Sequence, residues 1–466
     1  MRDLALETVM DDLAHPIIPP AHRLHPKPLP KWRWLPQFFI NPLSVYAEEA
    51  FHVTFGRARA FGIDTLAIND PKGIHHVLNA NMANYRRPVI QPRIFRPAMG
   101  AGVFLAEGDV WRRQRRMLAP VFSPAATGDL IPHFQTAAEA MLDRLEGHTR
   151  INLTDVFHRA ALDAVLKALF SLPADESRVG MTRLVRDYLG SAGRPTPLDA
   201  MAIREDDFPW ANGLRRRFRA RWTAEVDRII ADRKAAGADN AHKRGDLLEL
   251  LLSARDPQTG EALSDSEIRD QCATMLAAGF ETTSRLLFWA SYLLSLDQVE
   301  QARVRDEVLA FPVDRVGVME DLANWPRQRQ TLLEAMRLYP PVAYIVRKAM
   351  ADDVILDQPV TAGSEVWISP WVLHRHRKFW DRPTAFMPDR FAGKPSPWTS
   401  MEAYMPFGGG PRICIGAAFA MTEAQIILAS LLSRYRLTVE GTRPILPMFR
   451  LATVPDHEAW FEIKPI

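Results

Sequence analysis

Between residues 162 and 169 the apolar side chains Leu162, Val165, Leu166 and Leu169 recur at i, i+3, i+4 and i+7. That spacing is the stripe of an amphipathic helix, and Thr154 or Asp155 stands where its N-cap is expected. Similar runs occupy 128–145, 222–235, 266–295 and 325–338. Alternation with period two is confined to short pieces, Thr65–Ile68, Glu365–Ile368 and Trp460–Ile463, each near turn residues. The pattern predicts a mainly α protein with small β-sheets. Pro16, Pro19, Pro20, Pro26, Pro28 and Pro30 predict an extended lead-in over 1–34. Residues 35–466 carry no tandem repeat, low-complexity tract or Gly/Ser linker, and are expected to form one domain.

Composition narrows this only a little. Of 466 residues, 47% are apolar and 24% charged, the balance of a soluble chain with a sizeable core. A net charge of +3 gives a nucleic-acid role little support. Met1–Glu7 lacks the basic start and apolar core of a secretory signal, and no stretch approaches the ~20 apolar residues of a transmembrane anchor. The two cysteines, Cys272 and Cys414, provide neither a disulfide framework nor the four thiolates of an iron–sulfur cluster. A cytoplasmic location is expected. Arg112, Arg113, Arg115 and Arg116 form one basic cluster and Arg215, Arg216, Arg217, Arg219 and Arg221 another; such clusters are solvated helix faces or docking patches.

The chemistry concentrates near the C-terminal end, in Phe407-Gly408-Gly409-Gly410-Pro411-Arg412-Ile413-Cys414-Ile415-Gly416. Glycines let a backbone turn tightly and approach a flat partner. The helix predicted over Ala417–Leu432 aims free amides at the sulfur, a field that favours thiolate. A lone cysteine is by itself most often inert and buried, whereas a thiolate on haem iron supports O–O cleavage. Ala278-Gly279-Phe280-Glu281-Thr282-Thr283 interrupts a long helix with a glycine costing about 1 kcal/mol against alanine. Either the helix widens there for a ligand and frees Thr282, or this is an ordinary polar face. Glu334 and Arg337 share a helix face at i, i+3, as do Trp111 and Arg115 at i, i+4.

Taken together, in this order, these strings resemble the cytochrome P450 family over essentially the whole domain. The cysteine loop matches its Phe-Gly-x-Gly-x-Arg-x-Cys-x-Gly signature at every fixed position. The resemblance implies a P450 fold with a single haem-binding domain and haem b ligated by Cys414. Arg412, Trp111, Arg115 and Arg347 would meet the propionates, while Phe407, Gly408 and Ala278 would line the haem. Thr282 and Glu281 would deliver protons. Glu334 and Arg337, with Arg390 from Phe386–Phe391, would form a structural triad. Ala277, Val342, Ala343, Ile345, Met448 and Phe449, with parts of 88–105 and 185–215, would form an apolar substrate pocket, and Cys272 would only pack. The implied function is a monooxygenase of the soluble bacterial type, a monomer taking O2, an apolar small molecule and electrons from a ferredoxin or flavodoxin with its reductase. Arg112, Arg113 and Arg116 are candidates for docking that carrier. The alternatives are an H2O2-dependent peroxygenase, which the Glu281-Thr282 pair disfavours, and a non-catalytic haem sensor or carrier.

Overall fold

The computed structural model describes residues 16–60, 62–171, 184, 187–188, 191, 193–238, 246–394 and 397–466. The expectations for Met1–Glu7, and for several positions of 185–215, lie outside these residues. The fold is mainly helical. The run at 266–295 becomes Asp265–Leu296, a 32-residue helix entered through a capping box between Ser264 and Glu267. It packs along Leu153–Phe170, which is buried on nearly every face. The N-cap of that second helix is Asn152, not Thr154 or Asp155: its side chain accepts from the Thr154 amide at 3.0 Å. Residues Arg150–Asn152 are still a strand paired with Trp460–Pro465, so the backbone changes from extended to helical at Asn152.

Gly279 proves to be a contact residue between these two helices. A Cβ there would lie 3.2 Å from Val165 Cγ2, so the glycine admits close approach of Leu153–Phe170. The helix runs through it without widening.

The largest sheet has five strands in the order Phe55–Ala60, Ile63–Ile68, Glu365–Ile368, Ile345–Ala349, Tyr85–Arg86. Only the pairing of Ile63–Ile68 with Glu365–Ile368 is parallel, Leu66 facing Val366; the rest are antiparallel. Alternation buries Leu66, Ile68, Val366 and Ile368 in a small core distinct from the large helical one. A hairpin, Pro447–Phe449 with Thr453–Pro455, stands apart.

Residues 16–30 of the proline-rich start have little regular structure and are fastened to the body. Ile17 O accepts from the Phe386 amide at 2.9 Å, Pro20 O from the Tyr339 hydroxyl at 2.9 Å, and His25 bridges to Ala47. Among the described residues the first helix begins at Lys31, inside the expected lead-in and ahead of Leu35.

Candidate active site

A cavity of about 1370 Å³ opens between the helical core and the five-stranded sheet, lined from both. The cysteine loop forms one wall. Its backbone is bent by Gly408 and Gly410, both left-handed at φ +75° and +67°. At Gly410 a Cβ would also overlap the Leu78 carbonyl oxygen. Gly409 is extended. The bend returns the Cys414 amide to Phe407 O at 2.9 Å, and Gly416 then caps the Ala417–Arg434 helix. The Cys414 sulfur is open to the cavity while enclosed by the fold on its other sides. Burial pushes its thiol above the ordinary value; the Gly416 amide and the Arg115 charge pull downward without prevailing. The expected helix field is present, but burial outweighs it.

Around this sulfur the chain collects more positive charge than it neutralises. Arg115, Arg347, Arg412 and a residue without a sequence motif, Arg87, all line the cavity. Glu107 is shared by Arg412 and Arg87. The Arg347 guanidinium donates only to the adjacent Val346 carbonyl, at 2.9 Å. Burial, reinforced by Arg87 and Arg412, brings its pKa down to about 9, and burial with Arg87 brings Arg412 down to about 10. Arg115 and the Trp111 indole N–H have no hydrogen-bond acceptor among the described residues, and Arg412 stacks 4.4 Å over the Trp111 ring. Four guanidiniums against one carboxylate, beside an open sulfur, suit a flat group with two carboxylates and a metal. A haem fits this donor set.

The long helix supplies the facing wall through Ala277, Ala278, Glu281 and Thr282. Thr282 Oγ1 donates to Ala278 O at 2.8 Å, the local backbone bond that a mid-helix threonine can make. Glu281 is more constrained than a free acid: its carboxylate lies 2.9 Å from His158 Nε2 and 2.9 Å from Arg285 Nε. Burial opposes its charge, but Arg285 and His158 overcome that and hold the carboxyl well below the usual range. Neither His158 nor Arg285 carries a motif that sequence reasoning singled out.

Val342, Ile345, Met448 and Phe449 line the cavity, as does Phe407, whose ring meets Trp398 edge-on at 5.1 Å. Ala343 does not line it. It is fully buried in the helical core, and its carbonyl accepts from Ser369 Oγ at 3.1 Å. The chain reverses inward there to bring Ile345 into the sheet. Cys272 is a packed core residue, its thiol pushed up to about 12 by burial.

Away from the cavity, Glu334 and Arg337 are completely buried and joined by two parallel 2.7 Å bonds. Arg337 also donates to His374 O, Pro383 O and Ala385 O. Arg390 Nε reaches Glu334 Oε1 at 3.3 Å, and the Met387 amide reaches the same oxygen at 2.9 Å. The three sequence-separated charges therefore meet.

The proposed docking arginines are already engaged. Arg116 binds Asp256 through both oxygens, Arg113 binds Glu267 at 2.6 Å, and Arg112 binds Asp109. Arg215 is buried against Asp199. Arg112, Arg113 and Arg116 are thus neutralised within the chain, whereas in the second cluster only Arg215 has an ion pair among the described residues, Arg216 and Arg219 donating to the Pro209 and Arg96 carbonyls.

Sequence comparison agrees with the site. The Cytochrome P450 family model matches residues 48–459. A relative described as cyclooctat-9-en-7-ol 5-monooxygenase, from Streptomyces melanosporofaciens, is 30% identical over 77% of this chain and 79% of its own length. Protein LUTEIN DEFICIENT 5, chloroplastic, from Arabidopsis thaliana, is 28% identical over 88% of this chain and 70% of its own. The crystal structure of the cytochrome P450DA heme domain shares the fold, with a TM-score of 0.77 over 97% of this chain and 98% of that one at 24% identity. The chain belongs to the cytochrome P450 family, whose haem its cavity is built to accept. Within that family it is an oxidoreductase, a monooxygenase. No helix among the described residues is long and apolar enough to cross a membrane.

Proposed function

We propose that the protein holds haem b on Cys414 and inserts one atom of O2 into an apolar organic compound, using electrons from a separate ferredoxin or flavodoxin and its reductase. The observation that carries this is the placement of the Cys414 sulfur, the donors of Trp111 and Arg115, the Arg347 guanidinium, which bonds only the Val346 carbonyl among the described residues, and the Ala277–Thr282 face around one cavity. Arg87, Arg115, Arg347, Arg412 and Trp111 would hold the two propionates, and Phe407 and Gly408 would pack beside the sulfur. When bound on Cys414, the haem would supply oxygen activation, which thiolate ligation favours. The residues of the chain do the rest. At rest the Thr282 hydroxyl donates to its own helix, leaving its oxygen free to accept from a water in the cavity. Glu281 rests ionised, so it accepts a proton before it can pass one on; His158, 2.9 Å away, is placed to supply it. Val342, Ile345, Met448 and Phe449 exclude water from the apolar chamber. A monomer working in the cytoplasm accords with this reading.

Reduced, CO-treated protein is expected to show the red-shifted Soret band of thiolate ligation, absent in Cys414→Ala. Turnover with NADPH and a surrogate reductase, compared with turnover on hydrogen peroxide alone, separates a monooxygenase from a peroxygenase; a haem carrier would show neither. Full activity on peroxide with none through the reductase would overturn the proposal.

A further inference from the structure

Two groups of arginines face the cavity, and haem accounts for only one. The first surrounds the sulfur: Arg87, Arg115, Arg347 and Arg412. The second consists of Arg450, at the turn of the Pro447–Phe449/Thr453–Pro455 hairpin, and Arg194, just ahead of the Pro197–Met201 helix. Both line the same cavity. The groups are electrostatically separate. The charges that press on Arg450, after burial, are Arg194 and Arg285, whereas those that press on Arg347 are Arg87 and Arg412.

Neither Arg450 nor Arg194 has a side-chain hydrogen bond or ion pair to a carboxylate among the described residues. Four carboxylates reach the cavity wall, Glu49, Asp199, Glu281 and Glu365, and none pairs with Arg450 or Arg194; Glu365 accepts from the Trp367 indole at 3.0 Å. Asp199 is clasped by Arg93 at 2.9 Å and Arg215 at 2.6 Å, and Glu281 by His158 and Arg285. The two cations thus border an otherwise apolar chamber in which Phe95, Phe104 and Leu451 are further wall residues. Arg450 is half-buried and Arg194 exposed, so water meets part of their charge, but no carboxylate of the described residues pairs with either, and their donors stay available to an anion in the cavity. A guanidinium answers a carboxylate best, through two parallel hydrogen bonds.

We infer that Arg450 and Arg194 bind the carboxylate of the substrate, and that the substrate class is an amphiphilic acid, one carboxylate on an apolar body that lies within the cavity. The inference rests on the cavity being the substrate chamber of the monooxygenase proposed above. The hairpin turn then sets specificity: it fixes the charged end of the molecule and thereby decides which carbon lies over the Cys414 wall. An uncharged ester or alcohol of the same length fills the same apolar walls but leaves both guanidiniums unanswered.

The test is binding to the haem-loaded protein, followed by absorption shift and by calorimetry. The probes are dodecanoic acid, hexadecanoic acid and a tricyclic diterpene acid, each beside its methyl ester. At least one acid should bind about tenfold or more tightly than its ester, the discrimination expected of a charge-assisted pair. That preference should weaken with added salt. In the Arg450→Gln/Arg194→Gln double variant the acid should fall to the affinity of the ester while the ester is unchanged, and Arg450→Lys should restore part of the difference. Equal binding of acid and ester, no binding of any acid, or a preference that survives in the double variant would overturn the inference. The reduced CO spectrum of the same samples keeps the two claims apart. A missing red-shifted band defeats the haem-thiolate reading whatever the acids do, and a normal band without acid preference defeats only the carboxylate site.

Discussion

Two buried clusters of arginine in this molecule are built to opposite rules. Around Glu334, every strong donor of Arg337 has an acceptor supplied by the chain, and the pair is sealed from solvent. Around Cys414, four guanidiniums gather near one carboxylate that pairs with only two of them, Arg87 and Arg412, and neither Arg115 nor Arg347 forms an ion pair among the described residues. The first cluster is satisfied within the fold and serves to tie Pro326–Leu338 to the 374–390 segment. The second is tolerable only because something else completes it. Charge balance within the chain separates a structural network from a binding site more sharply than burial does, since both clusters are buried.

The largest test of that contrast is Glu334→Ala, which leaves Arg337 charged and sealed away; a loss of about 3–5 kcal/mol is expected, measured by urea unfolding. A loss below about 1 kcal/mol would remove the distinction. Next, Gly410→Ala forces a side chain into a left-handed position against the Leu78 carbonyl. It should cost about 1–3 kcal/mol and loosen haem retention in step with the bent loop. Arg347→Gln probes the other cluster. Haem affinity should fall by about 1.5–3 kcal/mol for the lost charged hydrogen bond, read by haem transfer to an acceptor globin. The stability of the haem-free chain should hold or rise, because a repelled cation has been removed. If the haem-free chain loses stability as much as Glu334→Ala does, the two clusters do not differ in kind.

The smallest effect concerns Glu423, fully buried on the cysteine helix with no ion pair among the described residues; burial raises its carboxyl pKa well above the ordinary value, offset only in part by the Thr283 hydroxyl. In the unfolded chain a glutamate ionises near about 4.3. Above that pH the native state holds a proton the unfolded state has lost, so stability falls as pH rises toward the folded pKa. Glu423→Gln should therefore gain about 1–2 °C in Tm at pH 8, with the gain vanishing below pH ~4. A gain that is the same at both pH values would contradict the assignment of a neutral Glu423.

Legibility differed by kind of residue. Positions that repeat a dense local string, such as Cys414, Phe407, Thr282 and the Glu334/Arg337 pair, were singled out from the sequence; the first three line the cavity and the last two pair with each other. Arg87 and Glu107 were not, because a single arginine after a strand carries no pattern; its role comes from the sheet edge bringing it beside Arg412. His158 was hidden for the same reason. Its helix reads as plain apolar periodicity, and only the packing of that helix on Asp265–Leu296 sets it against Glu281. Gly279 was misjudged because the sequence records a missing side chain without recording what approaches it; the answer was Val165. Ala343 was misplaced because alanine suits a pocket wall and a core equally.

By itself the sequence determined the elements and the chemistry carried by short strings: the amphipathic helices, the small strands, the bent glycine loop and its thiol. These follow from side-chain periodicity and backbone freedom, which act over a few residues. Tertiary structure alone decided which charges are answered. Arg116 was neutralised by Asp256, Glu281 was taken by His158 and Arg285, and Arg347 and Arg450 were left facing the cavity. Electrostatic balance is a property of groups close in space, and partners such as Arg116 and Asp256, or His158 and Glu281, stand far apart along the chain.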